Sequence, residues 1–266
     1  STALDASASA HAAYLTTNGF NTADSVHDET AGLPGFTGTD PFKRMVAAGY
    51  DYSFATEVIG DIGSSSSTSD CVGDLLDTVY HAVVMLSRVT DAGFGFGTGS
   101  AAGMCTIDLA SPIDGSARQI PPSGAIVAYP YDGQTVAHGT FHVANETPRV
   151  STTLLPDATA GTPVLVGFRN QDYVALETAG VTSGLATITS LQLVDAAGRV
   201  VPAVIVADPK LAGTGVNADA EIGSGFAVLV PRSPLQPGTY TVTLQAAVSG
   251  GQALALTHWA FTVAAP

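Results

Sequence analysis

From Ala125 to Val263 the chain is a succession of short apolar stretches, each closed by Gly, Pro, Asn or Asp. They are residues 125–130 (AIVAYP), 162–168 (TPVLVGF), 186–195 (ATITSLQLVD), 200–208 (VVPAVIVAD), 225–231 (GFAVLVP), 238–248 (GTYTVTLQAAV) and 258–263 (HWAFTV). Asp195-Ala196-Ala197-Gly198 is a hairpin turn signal between two of them. About seven short strands in a stretch of this length indicate a β-sandwich. Trp259 and Phe261 lie on its closing strand.

The first half has a different pattern. Leu4, Ala8, His11 and Leu15 recur at helical spacing, with Tyr14 beside them, and Asn18-Gly19 ends the run. Asp40-Pro41 starts a second helix, because a carboxylate caps free N–H groups and Pro fits the first helical turn. That helix ends at Gly49, and residues 50–60 (YDYSFATEVIG) follow as an extended segment. Ser64–Ser69 is expected as a loop. Residues 71–86 (CVGDLLDTVYHAVVML) form a third helix, with Val72, Leu75, Leu76, Val79 and Val83 on its apolar side. The stretch from Gly93 to Ala110 reads as a β-hairpin. Pro112, Gly115, Pro121 and Pro122 interrupt any hydrophobic period, so 113–124 is the expected linker between a domain at 1–112 and a sandwich at 125–266.

Twenty-three Asp and Glu against nine Lys and Arg give a formal charge of −14. Phosphate backbones and anionic membrane surfaces repel such a chain, so nucleic acid is excluded as a partner class. No apolar run reaches the roughly 18 residues of a membrane helix, and the opening residues lack the basic and apolar parts of a signal peptide. Two cysteines, Cys71 and Cys105, are too few for a structural zinc site alone. They are either a disulfide or two free thiols, and the disulfide is the expectation for a chain outside the cell.

An ordered set of landmarks carries a resemblance. The helix with His11-Ala12-Ala13-Tyr14-Leu15 is followed by His27, by 34–50 (PGFTGTDPFKRMVAAGY), by Thr56-Glu57-Val58-Ile59, by the helix ending at His81 and by Gly93-Phe94-Gly95-Phe96-Gly97. Over residues 1–110 this order resembles the CAP superfamily of cysteine-rich secretory proteins, antigen 5, pathogenesis-related-1 proteins and their bacterial relatives. The second half is similar to immunoglobulin-like modules that follow CAP domains in some bacterial proteins. The resemblance implies an α+β fold class: a CAP-like α-β-α sandwich followed by an all-β immunoglobulin-like sandwich. It implies a secreted protein whose cleft holds His27, Glu57 and His81. The family's Gly-Glu-Asn-Ile turn is Thr56-Glu57-Val58-Ile59 here, and its second acid has only Asp77 or Asp74 as a nearby match. Members also carry a helix ahead of the His-Ala helix. Its lack implies an exposed apolar strip beside residues 4–15, open to a lipid, a protein or assembly.

Two imidazoles and a carboxylate can bind a divalent metal such as zinc, with His27 and His81 as ligands, or serve as an acid–base pair. The plainer alternative is a hydrogen-bonded polar cluster. Two functions therefore stand: an extracellular binding or structural protein that takes a small ligand, lipid or protein, and a metal-dependent hydrolase. No Gly-x-Ser-x-Gly nucleophile turn is present. Residues 93–99 lack the Lys-Ser/Thr ending of a phosphate loop. His11 reads as a satisfied core histidine, and Asp28 and Glu29 as a solvated pair on a loop. Asn145-Glu146-Thr147 fits a glycosylation sequon, and His138, His142 and His258 show no shared metal spacing.

Overall fold

The computed structural model describes residues 1–19, 25–63, 68–97, 103–113, 120–251 and 253–265. It divides into two compact units. Ser1–Leu76 and Val84–Gln119 form the first, and Asp77–Val83 joins Ile120–Pro266 in the second.

The first unit is built on a three-stranded antiparallel sheet of order β1-β3-β2, made of β1 (Tyr52–Gly63), β2 (Asp91–Gly97) and β3 (Gly103–Pro112). Helix α1 (Thr2–Asn18) lies on one face, and the glycines of β2 explain how closely. A Cβ on Gly93 would sit 2.1 Å from the Leu4 carbonyl carbon, and one on Gly95 would sit 2.2 Å from the Ala8 carbonyl. Helix and strand therefore touch backbone to backbone. Alternation sends Phe94 and Phe96 to the other face, against Val58, Ile107, Leu109 and the buried Cys71–Cys105 disulfide. Cys71 sits on α3 (Thr68–Leu76), so the bridge ties that helix to β3. Helix α2 (Pro41–Ala47) is capped as its sequence indicates: Asp40 Oδ1 accepts from Lys43 N–H at 2.9 Å.

The single helix expected over residues 71–86 is broken. It stops at Leu76 and resumes as α4 (Tyr80–Met85). The N–H groups of Val79, Tyr80 and His81 donate to the buried carboxylate of Glu146 rather than to upstream carbonyls. A capping partner about 65 residues away, supplied by the second unit's own fold, decides that break.

The second unit has strands β4 (Val127–Tyr129), β5 (Thr135–Val136), β6 (Thr140–Phe141), β7 (Ala160–Gly161), β8 (Val164–Gly167), β9 (Ala186–Asp195), β10 (Ala203–Ala207), β11 (Leu211–Gly213), β12 (Val216–Ala218), β13 (Phe226–Pro231), β14 (Gly238–Val248) and β15 (His258–Val263). Two five-stranded sheets, ordered β12-β10-β13-β8-β4 and β11-β9-β14-β15-β5, share one core that includes Val166, Leu229, Leu193, Val242, Trp259 and Phe261. In β9 the buried positions change phase, from Ala186 and Ile188 to Leu191 and Leu193. A register shift against β14 at Gln245/Ala246 accommodates the change, as a β-bulge must. Helix α5 (Gln171–Thr178) starts at Asn170, whose side chain accepts from the N–H groups of Asp172 and Tyr173.

The expected fold class is corrected for the first unit. Strands make up 35% of the structure, in several small sheets, with only five helices among the described residues. A clear CAP α-β-α sandwich does not form. One long helix covers one face of a three-stranded sheet, and the other face has a short helix held by a disulfide. The second unit packs two five-stranded sheets around one core, with two additions to the expected all-β sandwich. It carries α5, and β12–β10, β11–β9 and β15–β5 pair in parallel.

Two further expectations meet the structure here. The outward face of α1 carries Thr2, Ala6, Ser9, Ala13 and Thr17, while Leu4, Ala8, Ala12 and Leu15 are buried on the sheet. The exposed apolar strip expected along this helix is absent, because the sheet covers the helix's apolar side. Residues 64–67 of the serine loop, 98 and 99 of the glycine run and 114–119 of the expected linker lie outside the described residues. Among the described residues no helix is long and apolar enough to cross a membrane.

Candidate functional site

The face of the sheet under α1 is apolar at both ends and polar in the middle. Leu4, Met45 and Ala110 close one end, and Tyr14, Leu15, Ile59 and Met104 close the other. Between them, strand alternation points Glu57 of β1 and Thr106 and Asp108 of β3 toward the helix. Glu57 and Asp108 are directly opposed across the ladder. Ser7 and His11 come down from α1, and both are buried. Arg44 enters from α2 and is 1% exposed.

Arg44 organises the group. Its Nη2 donates to Glu57 Oε2 at 2.8 Å, its Nη1 donates to the His27 carbonyl at 2.9 Å, and its Nε lies 3.8 Å from Glu29 Oε1. Glu57 Oε1 lies 2.9 Å from His27 Nδ1. Burial pushes the Glu57 carboxyl up, but the hydrogen bond to His27 and the charges of Arg44 and His11 outweigh it and hold it below the ordinary carboxylate range. An ionised Glu57 only accepts, so His27 Nδ1 carries the hydrogen. The His27 side chain is 35% exposed, whereas those of His11, Glu29, Arg44 and Glu57 are 0–1% exposed.

Glu29 is caged on the same side. It accepts from Thr37 N–H at 2.6 Å and Gly38 N–H at 3.3 Å, and lies 2.9 Å from His11 Nδ1. Burial raises its carboxyl, and the His11 and Thr37 hydrogen bonds, the Arg44 charge and the Gly38 N–H together bring it below the ordinary range. His11 Nε2 faces the Val26 carbonyl at 3.0 Å. Both partners of His11 are acceptors, so both are satisfied only when both ring nitrogens bear hydrogen. Asp108 is the contrast. Neither of its oxygens has a hydrogen-bond partner, and the same holds for Ser7 Oγ and Thr106 Oγ1. Burial first, and the negative charge of Glu57 second, push its carboxyl up to about 8.

The four residues picked from sequence as a cleft separate into two pairs. His27 and Glu57 are bonded to each other in the first unit. His81 and Asp77 belong to the second. There His81 Nδ1 lies 3.3 Å from Thr78 Oγ1 and 3.5 Å from Glu146 Oε1, and Asp77 Oδ1 accepts from Tyr129 O–H at 3.4 Å. One Glu57 oxygen is bonded to the Arg44 guanidinium, whose charge opposes a cation there, and no group of three or more His, Cys, Asp or Glu among the described residues is arranged to hold a metal. Asp74 lies on α3. His138, His142 and His258 are exposed and ungrouped. Asn145 of the sequon is exposed, while its neighbour Glu146 is buried in capping α4.

Sequence reasoning missed Arg44 and Asp108 and placed Glu29 in solvent. Asp108 had a signal: it is a lone acid inside the near-continuous apolar run 104–110, and such a run is buried on both faces. Arg44 and Glu29 had none, because the groups that hold them, Glu57 and the His27 carbonyl for Arg44, His11, Thr37 and Gly38 for Glu29, come together only in the fold. The Cys71–Cys105 disulfide expected from sequence is present. The chain matches no family model, no curated protein and no solved structure.

Proposed function

We propose that the chain is an extracellular, non-enzymatic binding protein whose first unit presents His27 to a hydrogen-bonding ligand. One observation carries the reading: His27 is the partly exposed member of a network whose other side chains, His11, Glu29, Arg44 and Glu57, are buried. Its Nδ1 is held by Glu57, and Glu57 is held by Arg44, so the ring is fixed with Nε2 outward. A ring oriented this way recognises a donor or an anion at little entropic cost, because its rotamer is set before binding. The oxygens of Glu57 and Glu29 are all engaged in hydrogen bonds within the network. The disulfide supports an oxidising compartment. The second unit would serve as spacer or adhesion contact, and kinship with CAP proteins belongs to the same proposal, supported by the order of landmarks alone.

The test is a binding screen of short peptides, fatty acids and small anions on the full chain, by calorimetry and imidazole NMR. The expected result is a hit that moves the His27 ring signals and weakens at least tenfold in His27→Ala with folding retained. Turnover of a peptide or ester that vanishes in His27→Ala would overturn the proposal in favour of a hydrolase.

A further inference from the structure

One carboxyl under α1 has no cation bonded to it. Arg44 is bonded to Glu57, and His11 lies between Glu29 and the Val26 carbonyl. Asp108 is a third carboxyl in the same buried layer. Helix α1 offers Ser7 and His11, β1 offers Glu57, α2 offers Arg44, the loop offers His27 and Glu29, and β3 itself offers Thr106. Strand β2 offers Gly93, which has no side chain. Asp5 and Asp91 stand nearby and are engaged, with Phe94 N–H and Tyr50 O–H respectively. No guanidinium, ammonium or imidazole is bonded to Asp108; the Ser7 hydroxyl and the Glu57 carboxyl stand beside it, and the Arg44 charge acts on it only through space.

We propose that Asp108 and Glu57 hold one proton between them, and that this proton is a pH-sensitive latch seating helix α1 on its sheet. With the proton in place the two opposed carboxyls carry one negative charge between them. Losing it breaks the O–H bond of the carboxyl and passes the proton to solvent. The layer then holds a buried negative charge directly across the ladder from another. Two carboxylates sharing one site cannot both ionise at ordinary cost. The backbone contact of α1 with β2 leaves no room for the helix to admit a counter-ion without lifting. The upward shift of the Asp108 carboxyl, caused first by burial and then by the Glu57 charge, agrees with the geometry.

The direction follows from proton counting. The folded chain keeps a proton that the unfolded chain releases near pH 4, so folding is strongest at low pH and weakens as pH rises toward the folded value. Each pH unit inside that window costs about tenfold in the folding equilibrium constant. Glu29 and Glu57 are held below the ordinary range, so they add no slope above pH 5.

Asp108→Asn, an uncharged isostere of the protonated acid, is the variant to make in the full chain. Urea unfolding at pH 5, 6 and 7 should show the wild type losing about tenfold per pH unit relative to the variant. Parallel pH profiles would overturn the latch. If the variant does not fold, the wild-type carboxyl carbon of Asp108 is followed by NMR. A midpoint well above the ordinary aspartate range supports the latch, and a midpoint below pH 5 overturns it. Neither readout depends on a ligand, so the latch stands or falls apart from the binding proposal.

Discussion

Replacing Arg44 by Met removes the one guanidinium in the buried layer while keeping most of its volume. Two hydrogen bonds are lost, at 2.8 Å to Glu57 and 2.9 Å to the His27 carbonyl, together with the charge 3.8 Å from Glu29. Hydrogen bonds involving a charged group contribute about 1.5–3 kcal/mol each. Breaking a buried ion pair from one side costs about 3–5 kcal/mol, because the abandoned carboxylate stays desolvated. The two routes agree on roughly 4 kcal/mol, a large share of the ~5–15 kcal/mol that holds a folded domain together. The loss also has a pH signature. Without Arg44, Glu57 and Glu29 rise toward protonation, so part of the lost stability returns as pH falls from 7 to 5. Urea unfolding followed by circular dichroism and by NMR signals of first-unit residues measures both effects. Lys43→Met is the control, since Lys43 is 67% exposed and its pair with Asp40 is worth about 0–1 kcal/mol. A result for Arg44→Met within about 1 kcal/mol of wild type at pH 7 would refute the claim that Arg44 holds the layer together.

Gly95→Ala should cost about 1–3 kcal/mol or more, because its Cβ would sit 2.2 Å from the Ala8 backbone and α1 would have to shift; Gly73→Ala in α3, with nothing within 4 Å, should be neutral or stabilise by up to about 1 kcal/mol. Thermal unfolding of the two variants side by side reads the difference. Reducing Cys71–Cys105, 34 residues apart, should lower stability by roughly 3–4 kcal/mol, and a urea midpoint unchanged by reductant would contradict its role. His27→Ala should cost no more than about 1 kcal/mol in the same assay, because its ring is 35% exposed and Arg44 stays on Glu57 after its removal.

What could be read from the chain, and what could not, follows from the range of the interactions. Asp40-Pro41 and Asn18-Gly19 mark helix ends through contacts within four residues, and both ends are where the sequence puts them. Alternation made the extended run at 50–60 and the strands of 238–248 and 258–263 legible for the same reason. The break in the helix of residues 71–86 was not legible, because Glu146 imposes it from far along the chain. The chain's layering failed as read from resemblance, since landmarks in order do not specify how many strands and helices pack. In the site, Glu57 and His27 were found and do meet. Arg44, Glu29 and Asp108 escaped notice because each is polar on a segment that reads as surface loop, short helix or core strand. Only the sheet register and the docking of α1 bring them together.

The most direct test of the account is the nitrogen spectrum of the His27 imidazole in the intact chain. An ionised Glu57 requires His27 Nδ1 to bear the hydrogen and donate to it, and Glu57→Gln should disturb that arrangement. The account predicts a slowly exchanging Nδ1–H on His27 at neutral pH, whose Nε2 signal shifts when a ligand binds. A His27 ring that carries its hydrogen on Nε2, or that exchanges freely between both forms as an unrestrained surface histidine does, would contradict it.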